Sequence, residues 1–261
     1  MIGLIPAAGW ATRVAPLPCS KELYPIGFRA VDHGQDFRPK VVCHYLLERL
    51  RLANINAAYI ILRHSKWDIP SYFRDGKIVD IHLGYLIMDL PFGVPYTLDQ
   101  AYFFVRHKMV ALGFPDIIFQ PDDAFVHLLK QQSETSADVV LGLFPTDQAH
   151  KMDMVEVNSD GSVRTIRIKP ADTDLEFTWI IAVWTPGFTR FMHEYILNEK
   201  MTIERESNTA PPVEAKELFL GEVIQAAIQD DINVSSVTFT NGKCLDIGSS
   251  EDMIKAIQMT T

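Results

Sequence analysis

Apolar runs of strand length alternate with segments of helical apolar spacing along the whole chain, with no internal period, low-complexity tract or long linker. Ile2 to Ala7 reads as a buried first strand. Gly9 to Gly27, rich in Gly, Pro and Ser, reads as a long loop at that strand's carboxyl end. Val42, Leu46, Leu47 and Leu50 recur at helical spacing and predict a helix over Val41 to Ala53, followed by a second buried strand over Ala57 to Leu62. Trp67 to Phe73 and Thr97 to Val105 read as helices, Pro91-Phe92-Gly93 as a turn, and Met109 to Leu112 and Ile117 to Phe119 as central strand material. The alternation predicts an α/β fold with a mainly parallel twisted sheet and helices on both faces.

The second half is patterned differently. A helix over Asp123 to Gln132 and a strand over Val139 to Phe144 precede two apolar runs, Met154 to Val157 and Val163 to Ile168. These flank Asn158-Ser159-Asp160-Gly161, whose residue types suit a tight hairpin turn. With a further strand over Phe177 to Trp184, they predict a small antiparallel lobe at about residues 145–215 within a single domain spanning 1–261. Leu218 to Ile228 reads as a helix and Val234 to Phe239 as a strand. Ser250 reads as the cap of a last helix through Ile257, with Glu251 and Asp252 in its first turn.

With 48% hydrophobic residues in 261, the chain can bury a sizeable core. Its 24 basic and 33 acidic residues give a net charge of −9, which disfavours a nucleic acid polymer as partner and requires any bound phosphate to be met locally. Cys19, Cys43 and Cys244 lie too far apart to suggest a zinc or disulfide framework. The opening apolar run lacks a basic leader and no stretch of about 18 uncharged apolar residues follows, so no membrane partner and a cytoplasmic location are expected.

The loop after the first strand carries the most chemistry. A strand feeding small residues presents backbone N–H groups to an anion, and Gly9, Trp10, Ala11 and Thr12 are placed to cradle phosphate, with Ala8 just before them expected to contact the nucleotide. Arg13 adds a planar fork and Lys21 a point charge. Neither G-x-G-x-x-G nor G-x-x-x-x-G-K-[ST] is present, and on spacing alone a tight loop with two solvated cations fits equally well.

This segment, Gly9-Trp10-Ala11-Thr12-Arg13 with Pro16, then Ser20-Lys21-Glu22-Leu23 and Pro25-Ile26, resembles the signature of sugar-1-phosphate nucleotidyltransferases, the family of glucose-1-phosphate thymidylyltransferase and UTP-glucose-1-phosphate uridylyltransferase. Ala11 replaces a glycine and Ser20 a proline of that signature, and the loop before Lys21 is shorter. Three further segments follow in family order. Leu112 to Phe119 resembles the strand ending in Gly-Asp, with Pro115 for the glycine and Asp116 for the metal aspartate. Val155-Glu156-Val157 with Ile168-Lys169-Pro170 resembles the hairpin closing in Glu-Lys-Pro. Gly242 to Asp252 resembles Trp-x-Asp-x-Gly-Thr-x-Glu-Asp, with Asp246 as second metal aspartate.

The resemblance implies a Rossmann-like fold and an enzyme that joins a nucleoside triphosphate to a sugar 1-phosphate with Mg²⁺ as cofactor, releasing pyrophosphate; the family commonly forms homo-oligomers. It implies that Arg13 grips the leaving pyrophosphate, Lys21 stabilises the α-phosphate, Lys169 holds the attacking phosphate, and Asp116 with Asp246 anchors the metal. The pair suits Mg²⁺, which takes one or two carboxylates and completes its shell with substrate oxygens. Nucleotide contacts are implied at Met88, Pro91 and Gly93, and substrate contacts at Asp153, Glu156 and Ile168.

Three of these positions depart from the thymidylyltransferase pattern: Met88 stands for a base-reading glutamine, Asp153 for a glycine and Ile168 for a glutamate. They point to a changed base or sugar with the same reaction. A cytidylyltransferase of non-sugar phosphates or phosphonates, and an inactive nucleotide-sugar-binding regulator, are the alternatives. The eight histidines show no metal spacing, no G-x-S-x-G elbow occurs, Asp122-Asp123 reads as a helix start, and Trp67, Trp179 and Trp184 read as core.

Overall fold

The first strand, β1 (Ile2–Ala7), alternates its side chains between two cores: Ile2 and Leu4 enter one, Ile5 and Ala7 the other. The computed structural model describes residues 1–10, 13–31, 34–88, 92–207 and 217–260, with side chains except at 200–207 and 259–260. After β1 a 3₁₀ turn (Lys21–Leu23) leads into an antiparallel hairpin of β2 (Pro25–Val31) and β3 (Asp36–Val41), then α1 (Val42–Leu52) and β4 (Ala57–Arg63). The predicted loop over Gly9 to Gly27 therefore ends early, because β2 starts at Pro25. Pro25 and the exposed alternate residues of β2 and β3 hide the hairpin from a hydrophobic-pattern reading.

Next come α2 (Asp68–Phe73), β5 (His82–Met88), α3 (Val94–Asp99), α4 (Tyr102–Val105), β6 (Val110–Gly113), β7 (Ile117–Gln120) and α5 (Ala124–Thr135). The helix expected over Thr97 to Val105 is two short ones, broken at Gln100 and Ala101. The chain continues through β8 (Val139–Pro145), β9 (Met154–Val157), β10 (Val163–Arg167), β11 (Phe177–Trp184) and α6 (Pro186–Ser207). It closes with α7 (Leu220–Gln229), β12 (Val234–Thr238), β13 (Lys243–Asp246) and α8 (Ser250–Thr260).

Among the described residues nine strands form one sheet. Its path runs β10-β9-β11-β6-β1-β4-β5, and β8 joins β11 to β12. β6, β1, β4 and β5 are parallel, so Ala7, Arg63, Met88 and Gly113 end at one edge. β11 runs antiparallel to β6 and β8 and also carries the β9–β10 hairpin, so the antiparallel strands are continuous with the main sheet. The hairpin closes as expected, with Asn158 N–H donating to Ser162 O at 2.9 Å. α1 and α5 pack on one face of the sheet, and α3, α6 and α7 on the other.

Three expectations are corrected. Ile117 to Phe119 is not central: a turn at Phe114–Ile117 diverts β7 from the main sheet, and it pairs antiparallel with β13. Trp67 is 53% exposed because it stands at the start of α2, where Ile69 and Phe73 already fill the inward positions; Trp179 and Trp184 are buried. The last helix is capped by Ser249, whose Oγ receives the Asp252 N–H and donates to the Asp252 carboxylate at 2.6 Å. Ser250 is already helical. No helix among the described residues is long and apolar enough to cross a membrane.

Candidate active site

The pairing of β7 with β13 sets Asp246 opposite Ile117, and Ile247 N–H donates to Asp116 O at 2.9 Å. Two aspartates 130 positions apart in sequence are thus neighbours. The Asp246 carboxyl is raised to about 6, first by burial and then by the adjacent Asp116, with Lys21 and Arg13 opposing both. A pair of half-buried carboxylates held side by side calls for a cation. Lys21 supplies one through an ion pair with Asp116. Burial works against the Lys21 ammonium, but Asp116, Glu22 and Asp246 outweigh it and hold its pKa above the usual lysine range. Among the described residues no three His, Cys, Asp or Glu side chains cluster to hold a metal, so a divalent ion at this pair would complete its shell with substrate oxygens. That fits Mg²⁺.

Lys21 is held on both sides. Ser20, just before it, donates from its N–H and Oγ to the Asp68 carboxylate at 2.6 and 2.7 Å. Glu22, just after it, accepts from Lys66 Nζ at 2.6 Å in an ion pair whose side chains are 2% and 4% exposed. Burial pushes the Glu22 carboxyl upward while Lys66 pulls it down. The segment between β4 and α2 therefore clamps the turn that carries Lys21. Arg13 reaches across to Gly248, close to Asp246.

On the other side of the sheet, Lys169 has a left-handed backbone (φ 41°), and its Nζ lies 3.8 Å from the centre of the Phe219 ring. The Asp153 carboxylate accepts backbone N–H groups of Lys169 and Gly221, and burial raises its pKa to about 6. Its Oδ2 sits so close to the start of α7 that a Cβ on Gly221 would lie 2.5 Å away, with Ile168 Cδ1 at 2.6 Å. Leu218 bridges to Gly93 and donates from its N–H to Phe92 O, joining the Phe92-Gly93 turn to Phe219. A cavity of about 830 Å³ opens beside Asp246, with Arg13, Met152, Phe177 and Cys244 among its walls.

The structure thus joins Arg13, Lys21, Asp116 and Asp246, and separately Asp153, Ile168, Lys169 and Gly93. Ala8 is buried at the end of β1, Gly9 is exposed, and Trp10 is 61% exposed and stacks on Arg63. Met88 is buried in the core. Glu156 is taken up by Arg164 and Arg167 of its own hairpin. Ala11, Thr12 and Pro91, and residues 208–215 of the expected lobe, lie outside the described residues. Sequence reasoning misses Arg63, Lys66, Asp68 and Phe219, whose only sequence signal is their place at a strand's carboxyl end or next to a matched segment.

No curated protein sequence matches the chain. A solved structure of a Bacillus anthracis protein assigned as a glucose-1-phosphate thymidylyltransferase, in complex with sucrose, superposes with a TM-score of 0.78 at 16% identity, over 100% of this chain and 95% of that one. At that identity the likeness speaks for the fold. The family model described as nucleotidyl transferase matches residues 2–261, essentially the whole chain, and so the chain belongs to the nucleotidyl transferase family.

Proposed function

We propose that this nucleotidyltransferase transfers a nucleotidyl group from a nucleoside triphosphate to a sugar 1-phosphate, giving a nucleoside diphosphate sugar and pyrophosphate. The observation that carries the reading is the Asp116–Asp246 pair flanked by Lys21 and Arg13. A phosphate oxygen of the acceptor attacks the α-phosphorus, the bond from that phosphorus to the bridging oxygen breaks, and pyrophosphate leaves with the electron pair. Two anions meet in this step, so the protein's task is placement and charge neutralisation. Mg²⁺ held by Asp116 and Asp246 would supply Lewis-acid stabilisation of the phosphoryl charge.

Lys21 exchanges its carboxylate partner for α-phosphate oxygens, and Arg13 offers its fork to the departing pair of phosphates. Lys169 takes the acceptor phosphate. Its fixed backbone and the Phe219 face limit where the ammonium can go, which lowers the entropy lost on binding.

Transfer to a non-sugar phosphate is the second reading. It is favoured by Asp153 and Ile168, which put a buried carboxylate and an apolar chain beside Lys169. Incubation with each triphosphate, Mg²⁺ and either sugar 1-phosphates or polyol phosphates, with products identified by mass spectrometry, separates the two. A nucleoside diphosphate sugar is expected, and products formed only from polyol phosphates would overturn the sugar assignment.

A further inference from the structure

We propose that Arg63 is a further binding residue for the triphosphate, donating to the two terminal phosphates that leave as pyrophosphate. The inference rests on the phosphate-loop reading above and adds a residue that neither the motifs nor the family resemblance assign. Arg63 is the last residue of β4, next to the end of β1 at the carboxyl edge of the sheet. Its guanidinium carbon lies 3.7 Å from the centre of the Trp10 ring, a stack that holds the guanidinium plane and leaves its in-plane N–H donors free. Among the described residues Nε and Nη1 are buried without a hydrogen-bond partner.

A cavity of about 300 Å³ opens here, with Trp10, Ser20, Lys21, Arg63 and Lys66 among its walls. Three cations line it. Asp116 takes the charge of Lys21 and Glu22 that of Lys66, while among the described residues no carboxylate pairs with Arg63. A half-buried guanidinium with unmet donors needs an anion more than a neutral partner. The anion is not the acceptor's phosphate, because Lys169 follows β10 at the far end of the sheet path, with β9, β11, β6 and β1 between it and β4. The cavity shares Lys21 and the segment before it with the phosphate loop, which leaves the terminal phosphates of the triphosphate.

Calorimetric titration of the full-length protein with inorganic pyrophosphate and Mg²⁺ tests the assignment, using Arg63→Met, Arg63→Lys and Trp10→Ala. Loss of one charge-assisted contact predicts pyrophosphate affinity weaker by about ten- to a hundredfold in Arg63→Met, with Arg63→Lys between it and the unmodified protein. Trp10→Ala is expected to weaken it less. Nucleoside monophosphates, which lack the terminal phosphates, should bind Arg63→Met, Arg63→Lys and the unmodified protein equally. Equal pyrophosphate affinity in Arg63→Met and the unmodified protein, or no pyrophosphate binding by either, overturns the proposal; a parallel loss for monophosphates does so too, by placing Arg63 on the nucleoside. Pyrophosphate release by the unmodified protein in a turnover assay checks the underlying nucleotidyl transfer separately.

Discussion

The guanidinium of Arg13 rests against Gly248: a Cβ built there would stand 2.9 Å from Nη2 and 3.4 Å from the Asp246 carboxylate. The missing side chain at position 248 is what lets Arg13 approach the second aspartate. Gly248→Ala is expected to push the mobile end of Arg13 aside at little cost to folding. Losing one charge-assisted contact to the triphosphate then predicts a drop of about tenfold or more in kcat/KM with an unchanged melting temperature. Steady-state kinetics beside a thermal melt checks this, and a destabilised variant with normal kinetics would contradict it.

Asp246→Asn separates stability from activity. Burial and Asp116 both work against the ionised Asp246, so a neutral amide relieves repulsion and should leave the fold as stable as before or more so. Turnover should fall by about a hundredfold or more, since the carboxylate's charge is what a divalent cation needs. Asp116→Asn should lose activity likewise. Near-normal rates for both at saturating Mg²⁺ would remove the metal assignment.

The buried Glu22–Lys66 pair predicts a different signature. Removing one partner strands a charge beneath Lys21, so Lys66→Met should cost about 3 to 5 kcal/mol in urea unfolding. The double change Glu22→Gln with Lys66→Met should recover much of that stability. If the single and double variants unfold alike, the pair does not anchor this turn.

Asp153 gives a pH test. Its carboxyl has a folded pKa of about 6, raised by burial from 3.8, so its stabilising contribution is complete below the unfolded pKa and is lost as pH rises through 6. At 1.36 kcal/mol per unit this amounts to at most about 3 kcal/mol. Asp153→Asn should therefore gain stability relative to the unmodified protein at pH 7.5, with the gap closing toward pH 4. A gap independent of pH would mean that Asp153 does not titrate as its burial implies.

The parts of the fold most legible in the sequence are those where local pattern and burial agree. β1, α1, β4, α7 and the β9–β10 hairpin have periodic apolar faces or turn residues that point to one conformation. The hydrophobic pattern signals other elements poorly. β5 carries Gly84 inside the strand, and α6 contributes Phe188, Met192 and Ile196 to the core but is polar over most of its remaining length. The aspartates are found by motif, yet nothing local shows that they touch. Their meeting depends on β7 leaving the main sheet to pair with β13, a long-range register. The clamp on Lys21 is equally non-local: Ser20 and Glu22 find partners 48 and 44 residues away.

Pyrophosphate release measured across a matrix of nucleoside triphosphates and sugar 1-phosphates, with Mg²⁺ and with triphosphate-only controls, tests the central claim most directly. Release is expected to require a sugar 1-phosphate. The pair dTTP with glucose 1-phosphate is expected to be poor, because Met88 is buried in the core and Ile168 offers no hydrogen bond. No acceptor-dependent release with any sugar 1-phosphate would contradict the proposed function, and best turnover with dTTP and glucose 1-phosphate would contradict the changed specificity.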